Sequence, residues 1–350
     1  RFMAVNLVNP HDVMYYNTDL PGAPAEQAEA AMMRLNHDPA TAQFGRQWEP
    51  VLPVSRKQPV IGNDRPAAHE RFAVARSALV GRVPREDERW RRLNNYYLNC
   101  LQEVDRHILA ILDELDDLGM SENTLVIFTS DHGELGGAHG LSGKGATAYR
   151  EQQNVPLIIS HPGLSGGKRC KAVTSHLDIA STLVSLAGGD ANALGALPGK
   201  DITALLRDPE SAAVDAARPG ALFNYNMFAF IDDQFLMNIS RFIREGGNPS
   251  ELPKKGWRPD LSKRGAIRSI YDGRYKLNRY FSPQQHHVPR SLEELFKYND
   301  VELFDLVADP HEVNADLLIQ LARSVGEAMQ RGTSRDGGQF NAGGYFRADA

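Results

Sequence analysis

Cysteine and long apolar runs are both scarce in this sequence, and each scarcity excludes a class of protein. Only two cysteines, Cys100 and Cys170, occur among 350 residues, so the chain is not a disulfide-stapled scaffold. No apolar run approaches the roughly 18 residues that a membrane-spanning helix needs. The net charge is only −5, which provides no basic face for nucleic acid. We therefore expect no membrane span and no nucleic-acid partner, while the compartment stays open.

The length and apolar content of the chain suit one large domain, or one large and one small domain. It has 350 residues, of which 42% are hydrophobic. The apolar run Phe2–Val8 follows Arg1 at once and is typical of a core strand. A core strand without an approach segment indicates a piece of a longer protein. We expect the natural protein to extend N-terminally by on the order of 100–200 residues.

The first 210 residues show the alternation of helices and strands that is typical of an α/β sheet. Apolar residues at spacings of three and four predict a helix over 90–118, which Gly119 ends. Continuous apolar runs at 123–130 and 155–160 predict strands of a parallel sheet that is buried on both faces. An amphipathic helix is predicted over 175–188. Residues 20–89 have poor periodicity and recurring prolines, which favours an irregular excursion.

A different pattern begins after residue 210 and predicts a small antiparallel α+β subdomain. A strand is predicted within 221–232, and 266–281 has the pattern of a hairpin that turns at Asp272-Gly273. Residues 301–312 give a further strand and turn, and a closing helix is predicted over 315–332. The predicted domains are therefore residues 1–210 and 211–350.

The stretch "TLVIFTSDHGELGGAHGLSGKG", Thr124–Gly145, carries the chemistry of the chain. Asp131 and His132 come directly after an apolar strand, where an open α/β sheet binds its ligands. A carboxylate and an imidazole are both metal-ligand side chains. The loop that follows contains six glycines together with His139 and Lys144. An ammonium group on such a loop can face an anion.

Each of these residues has an ordinary structural interpretation when it is taken alone. An aspartate after a strand is most often a turn former or a helix cap, and a single histidine is most often a hydrogen-bonded structural group. Cys100 lies at core spacing in the predicted helix, where simple packing explains it. The combination of two ligand types, a glycine-rich loop, a lysine and a second strand-end histidine, His11, favours a functional site.

The segment "FTSDHGELGGAHGLSGKG…VPLIISHPG" closely resembles the sulfatase family of the alkaline phosphatase superfamily. The segments "VNPHD", "SHLDIASTLVSLAG", "YDGRYKLNRY" and "ELFDLVADPHEVN" resemble further elements of that family. The resemblance covers nearly the whole chain except residues 20–89. It implies an alkaline phosphatase-like fold, in which a parallel-rich sheet is sandwiched by helices and is followed by a small antiparallel α+β subdomain.

The resemblance also implies the role of each candidate residue. Asp131 and His132 would be ligands of one divalent metal ion, with calcium expected first and manganese as the alternative. Lys144 and His11 would bind the sulfate or phosphate group and act in catalysis, with His11 protonating the leaving oxygen. His139 would lie nearby as a further substrate-binding group.

The family's nucleophile is absent from these 350 residues. In the family, a formylglycine is made from the first residue of a Cys/Ser-x-Pro-x-Arg motif, and an Asp-Asp pair follows the first strand. Cys100 and Cys170 lack that context, Asp116-Asp117 falls on a predicted helix, and Asp232-Asp233 reads as a turn. We expect these elements in an N-terminal half of the same protein, so that this chain by itself is inactive.

Two alternatives to sulfate ester hydrolysis stay open. The same site would serve a phosphonate monoester or a phosphodiester, because this half of the site does not distinguish these small-molecule esters. A non-catalytic anion-binding domain that keeps the fold without the nucleophile is an alternative of another class.

Overall fold

The computed structural model describes residues 2–35, 42–60, 62, 65–190, 194–195, 197–285 and 288–315, and the chain divides into two compact units. The first unit comprises Arg1–Thr124, Ser130–Pro156 and Met227–Gly265. The second unit comprises Leu125–Thr129, Leu157–Asn226 and Ala266–Ala350. Both units combine segments from either side of residue 210, and the predicted boundary there stays a prediction.

Helices and strands occur in both units of the described chain. The α-helices are α1 (Gln27–Ala30), α2 (Ala67–Val80), α3 (Asp87–Asp117), α4 (Arg150–Gln153), α5 (Leu177–Leu186), α6 (Thr203–Arg207), α7 (Asp233–Arg244) and α8 (Leu292–Tyr298). The strands are β1 (Val126–Thr129), β2 (Leu157–Ser160), β3 (Ala221–Tyr225), β4 (Ala266–Tyr271), β5 (Tyr275–Phe281) and β6 (Asp300–Asp305). No helix in the described ranges is long and apolar enough to cross a membrane.

Helix α3 is the main element of the first unit and confirms the predicted helix. Its N-terminal half buries one face in a core cluster with other side chains of this unit: Val13, Tyr16, Leu52, Val83, Trp90, Leu93, Tyr96 and Cys100. Burial raises the pKa of the Cys100 thiol to about 12, in keeping with the expected packing role. Gly119 ends the helix with a positive φ of 65°, as its position predicted.

The irregular excursion predicted over residues 20–89 is wrong at its C-terminal end, because residues 67–80 form α2. This helix buries Phe72 completely, and it also buries three alanines, Ala68, Ala75 and Ala78. Small alanines give a weak apolar stripe, which is why the periodicity of the sequence did not reveal the helix.

The predicted core strand Phe2–Val8 is also wrong. Residues 2–8 form no strand in the structure, and Phe2, Met3 and Val8 are at least three-quarters exposed. A strand is stable when its backbone groups pair with a neighbour and its apolar face is covered. None of the described strands pairs with this segment.

Strands β1 and β2 confirm the two apolar runs but not their predicted parallel pairing. They form an antiparallel pair, with Val126 opposite Ser160 and Thr129 opposite Leu157. Burial on both faces is likewise absent, since Ile158 is 59% exposed. An apolar run identifies a strand, but it carries no information on the direction of its neighbour.

Strands β3 to β6 form the predicted antiparallel sheet, in the order β3-β4-β5-β6. The β4–β5 hairpin turns at Asp272-Gly273, where Gly273 has a φ of 104°. The Asp272 carboxylate accepts hydrogen bonds from the N–H groups of Arg274 and Tyr275 at 2.8 and 2.7 Å. This turn chemistry fixes the register of the hairpin.

Two further sequence predictions have outcomes in these elements, and a third does not. Helix α5 lies within the predicted range 175–188, and its buried Asp178 pairs with Arg218. Asp232 caps the N-terminus of α7 and binds Lys263 at 2.7 Å, so it has a local structural role. The predicted closing helix, residues 315–332, lies outside the described residues except at its first position.

Candidate functional site

The candidate site begins where the chain leaves β1, at Asp131 and His132. Asp131 has a side chain that is 83% exposed, and His132 has one that is 35% exposed. The Asp131 carboxylate accepts a hydrogen bond from the backbone N–H of His132 at 2.9 Å. This bond turns the carboxylate toward the imidazole, so that Oδ2 of Asp131 lies 3.4 Å from Nε2 of His132.

The imidazole of His132 is oriented as a metal-binding histidine is. Its Nδ1 lies 2.9 Å from the carbonyl oxygen of Gly133, which requires the ring proton on Nδ1. Nε2 then lies on the side of the Asp131 carboxylate. Metal-ligating histidines commonly donate their second ring N–H to such an acceptor. A carboxylate oxygen and a ring nitrogen 3.4 Å apart fit two adjacent ligands of one divalent cation.

Gly133 lets the chain turn away immediately after this pair. Its N–H donates to the carbonyl oxygen of Gln152 at 2.9 Å. A Cβ at position 133 would lie 1.9 Å from the carbonyl oxygen of Glu151, so any side chain would force the two segments apart. The close approach of residues 133 and 151–152 therefore depends on glycine.

Glu134 stabilises the glycine-rich loop by accepting hydrogen bonds from its backbone. Its Oε1 accepts hydrogen bonds from the backbone N–H groups of Gly136, at 3.1 Å, and Gly143. These two contacts join the start and the end of the loop through one carboxylate. Lys144 follows Gly143 directly, so Glu134 also helps to fix the position of its backbone.

Lys144 is half-buried beside this carboxylate. Burial lowers the pKa of its ammonium group, Glu134 and Asp131 act in the opposite direction, and the charge of Arg76 lowers it further. The ammonium of Lys144 has no hydrogen-bond acceptor or ion-pair partner within the ranges that the structure describes. The structure therefore brings Lys144, Asp131, Glu134 and Arg76 into one electrostatic group.

Helices α2 and α3 both pack against the glycine-rich loop. A Cβ at Gly145 would lie 1.9 Å from the ring of Phe72 on α2. On α3, the Asn94 amide donates to the carbonyl oxygen of Gly136 at 2.8 Å, and the Trp90 ring would lie 3.1 Å from a Cβ at Gly137. The glycines of this loop thus admit close packing on both helices.

His139 lies in the interior, on the far side of the same loop. It has a φ of 57°, is fully buried, and stacks on Tyr149 with ring centroids 3.4 Å apart. Its Nδ1 lies 2.7 Å from Oε1 of Gln58, and its Nε2 lies 3.9 Å from the Glu151 carboxylate. This environment fits a group that positions the loop better than one that touches a ligand.

His11 begins a short 3₁₀ helix, His11–Tyr15, and its side chain is exposed. Its ring lies 5.9 Å from the ring of Tyr15. The phenol of Tyr15 is in turn close enough to Arg76 to influence the pKa of that guanidinium. Tyr15 is thus the described residue that lies between the ring contact of His11 and the charge of Arg76.

Sequence reasoning missed two members of this group, Arg76 and Glu134. Glu134 stands within the quoted motif, three residues after Asp131, and its backbone contacts carry no pattern that could be recognised beforehand. Arg76 lies in the segment of poor periodicity. Had residues 67–80 been recognised as a helix, a charged side chain among its buried positions would have been the signal.

The mixed α/β architecture is shared with solved hydrolase structures. A 2-O GAG sulfatase aligns with a TM-score of 0.57 at 17% identity, over 93% of this chain and 58% of that chain. A phosphonate monoester hydrolase from Silicibacter pomeroyi aligns with a TM-score of 0.54 at 20% identity, over 93% of this chain and 66% of that chain. At such low identity these alignments establish the alkaline phosphatase-like fold alone.

The sequence itself matches the family profile described as Sulfatase over residues 1–189. This chain therefore belongs to the sulfatase family, as its motifs indicated. An endo-4-O-sulfatase from Bacteroides thetaiotaomicron is 26% identical over 242 residues, which are 67% of this chain and 41% of that protein. The chain covers 41% of the length of this relative and 24% of the length of a second curated relative. The chain thus spans less than half of these relatives.

Proposed function

We propose that the natural protein containing this chain hydrolyses a sulfate ester by a metal-assisted mechanism. The observation that carries the proposal is the electrostatic group around the glycine-rich loop. Lys144 is half-buried, the charge of Asp131 acts on it, and its ammonium has no acceptor in the part of the chain that the structure describes. A cation held in this way is suited to bind an oxyanion that enters from solution.

Asp131 and His132 would contribute two ligands of one divalent metal ion. Calcium accepts carboxylate oxygens and manganese accepts both oxygen and imidazole nitrogen, so calcium is proposed first and manganese second. The bound ion would offset negative charge on an oxygen of the ester group. Gly133 lets the chain turn directly after this pair and pack closely against Glu151.

Lys144 and His11 would act on the ester group itself. Lys144 would bind a non-bridging oxygen, where charge grows as the ester bond breaks. His11, which is exposed, would give a proton to the leaving oxygen. His139 would support the loop from beneath, through Tyr149 and Gln58.

The nucleophile of the reaction is proposed to come from outside these 350 residues. The family's formylglycine motif, Cys/Ser-x-Pro-x-Arg, does not occur among them. Both cysteines lack its context, and Cys100 is buried in the core of the first unit. An N-terminal half of the same protein would therefore supply the formylglycine and the remaining metal ligands.

Replacement of Lys144 by alanine tests the role of the ammonium group. In the natural full-length protein, Lys144→Ala is expected to lower kcat for an aryl sulfate by at least roughly 10²-fold, the scale of one lost electrostatic contact. Its free energy of unfolding should stay within about 0.5 kcal/mol of the wild type, because the ammonium makes no ion pair among the described residues.

The matched control for this experiment is Lys168→Ala, since Lys168 is exposed in a loop away from the motif. Equal rates for the two variants would contradict the assignment. An aryl phosphonate and a bis-aryl phosphate complete the substrate panel and test the alternative ester classes. Wild-type protein that binds sulfate without turning over any of these esters would instead support a binding domain.

His11 is tested by the dependence of the rate on the leaving group. A general acid matters most when the leaving alkoxide is strongly basic. We therefore expect His11→Gln to lower kcat/KM much more for an alkyl sulfate than for a nitrophenyl sulfate, by about 10²-fold or more. A loss of the same size for both substrates would exclude His11 as the general acid.

A further inference from the structure

Arg76 is a partly buried cation that the family resemblance does not account for. It lies on α2, within residues 20–89, where the sequence shows none of the family motifs named above. Its Nε donates a hydrogen bond to Oγ of Ser142 at 3.1 Å. A Cβ at Gly143 would lie only 2.3 Å from Cζ of Arg76. The guanidinium therefore lies directly against the loop backbone, one residue before Lys144.

The terminal nitrogens of Arg76 are left without protein acceptors. Within the described ranges, the bond to Ser142 is its one hydrogen bond, and it forms no ion pair. A guanidinium carries five N–H donors in a fixed planar fork, so both Nη atoms still offer theirs. The ammonium of Lys144, the neighbouring cation, likewise has no hydrogen-bond acceptor or ion-pair partner among the described residues.

Glu134 does not satisfy this pair of cations. Its charge influences the pKa values of both Arg76 and Lys144, but its Oε1 accepts from the N–H groups of Gly136 and Gly143. Arg76 lies against Gly143, the residue before Lys144, and its charge lowers the pKa of Lys144, so the fold gains no stability from this pair of cations. A tetrahedral oxyanion between them would relieve this repulsion and accept the donors that are left.

We infer that Arg76 and Lys144 together bind one tetrahedral oxyanion, with Arg76 as an additional substrate-contacting residue. The inference rests on the proposed function where it takes that oxyanion to be the sulfate group of the substrate. Arg76 would bind two of its oxygens at once, which the planar fork permits and a lysine does not. Gly143 is required because its missing side chain lets the fork reach this position.

The binding experiment uses the natural full-length protein and inorganic sulfate as the probe. Titration calorimetry at low ionic strength compares the wild type with Arg76→Gln and with the control Arg82→Gln, whose arginine is exposed just beyond the end of α2. We expect Arg76→Gln to weaken sulfate binding by about 10- to 100-fold, the scale of a charge-assisted hydrogen bond. An affinity equal to that of Arg82→Gln would overturn the inference.

A more conservative variant keeps the test decisive if Arg76→Gln does not fold. Arg76→Lys preserves the charge and removes the planar fork. It should still weaken sulfate binding by at least about threefold, since one of two parallel hydrogen bonds is lost. Unchanged sulfate affinity in a folded Arg76→Lys protein would overturn the inference as well.

A double-mutant cycle tests whether the two cations share one anion. If they do, the effects of Arg76→Gln and Lys144→Gln on sulfate affinity will be coupled, whereas independent sites will give additive effects. Additivity would therefore overturn the shared site.

The failure of this inference can be distinguished from the failure of the proposed function. Turnover of a sulfate ester with the same KM and the same sulfate affinity in Arg76→Gln and Arg82→Gln would overturn the role of Arg76 while the function stands. Coupled loss of sulfate binding in a protein that hydrolyses no ester would support the pair and reject the function.

Discussion

Asp19 is a residue whose ionisation is closely tied to the fold. Its Oδ1 accepts the N–H of Gln27 at 3.0 Å, its Oδ2 accepts that of Ala28 at 3.0 Å, and Arg89 donates to Oδ1 at 3.0 Å. Burial by itself would raise the pKa of this carboxyl, but the backbone hydrogen bonds and Arg89 outweigh it, so that the pKa is lowered. The charged form is therefore the one that stabilises the folded state.

The substitution Asp19→Asn is expected to lower the free energy of unfolding by about 1–3 kcal/mol at pH 7, the usual loss for a charged hydrogen-bonded group. A depressed folded pKa gives stability that is present above the unfolded value near 3.9 and is lost as pH falls through the folded value. The deficit of the variant should therefore shrink below about pH 4. Urea unfolding of the wild type and the variant at a series of pH values measures this difference in the free energy of unfolding.

The exposed Asp105 on α3 provides the control for this prediction. Asp105→Asn should change the free energy of unfolding by no more than about 0.5 kcal/mol, both at pH 7 and at pH 3. A deficit of Asp19→Asn that is as large at pH 3 as at pH 7 would contradict the linkage to ionisation.

Elements formed by local sequence signals could be predicted, and those defined by their neighbours could not. Helix α3 and the β4–β5 hairpin were predicted because spacing and turn residues such as Asp272-Gly273 act within a few positions of one another. Helix α2 was missed because its buried face consists largely of alanine. The antiparallel pairing of β1 with β2 depends on a partner strand about 30 residues away, which the run of apolar residues cannot indicate.

The glycine-rich loop depends on α2 at Gly145, and this contact gives an element-scale prediction. Gly145→Ala would place a Cβ 1.9 Å from the Phe72 ring. We expect a loss of about 1–3 kcal/mol in the free energy of unfolding, because the core must shift to admit the methyl group. We also expect a lower kcat in the natural protein, because Lys144 is the preceding residue. Thermal unfolding and initial rates measure the two effects.

Gly166→Ala is the matched control, because a Cβ at Gly166 would meet no atom within 4 Å. A second substitution tests whether the clash with Phe72 causes the loss of stability in Gly145→Ala. If the clash with Phe72 is responsible, the combination of Gly145→Ala with Phe72→Leu should be more stable than the sum of the two single changes predicts. Strict additivity would assign the effect to the backbone of the loop.

At the scale of the whole molecule, metal binding should be visible as stability. A ligand that binds only the folded state raises the free energy of unfolding by about 2.7 kcal/mol at a hundredfold excess over its Kd. We expect calcium, or manganese in its place, to raise the Tm of the metal-depleted natural protein. Asp131→Ala and His132→Ala should each reduce this shift, whereas Asp105→Asn should keep it. A Tm that neither ion changes would contradict the proposed metal site.

The sequence indicated part of the candidate site because that part is contiguous. Asp131, His132 and Lys144 stand within one stretch, and ordinary ligand chemistry marks them. Arg76 comes from a helix almost 70 residues earlier, and packing alone brings it to the loop. A single sequence records no such contact, so the second cation became evident only from the structure.

The guanidinium that rests on Gly143 also has a consequence for how this protein changes over evolutionary time. Because a Cβ at position 143 would meet the guanidinium of Arg76, a side chain there requires Arg76 to move or to be replaced. Descendants that acquire alanine or serine at 143 should carry a shorter, uncharged residue at 76, and they should differ in the anions that they select. The pair of positions would thus mark lineages with distinct substrate preferences within otherwise similar sequences.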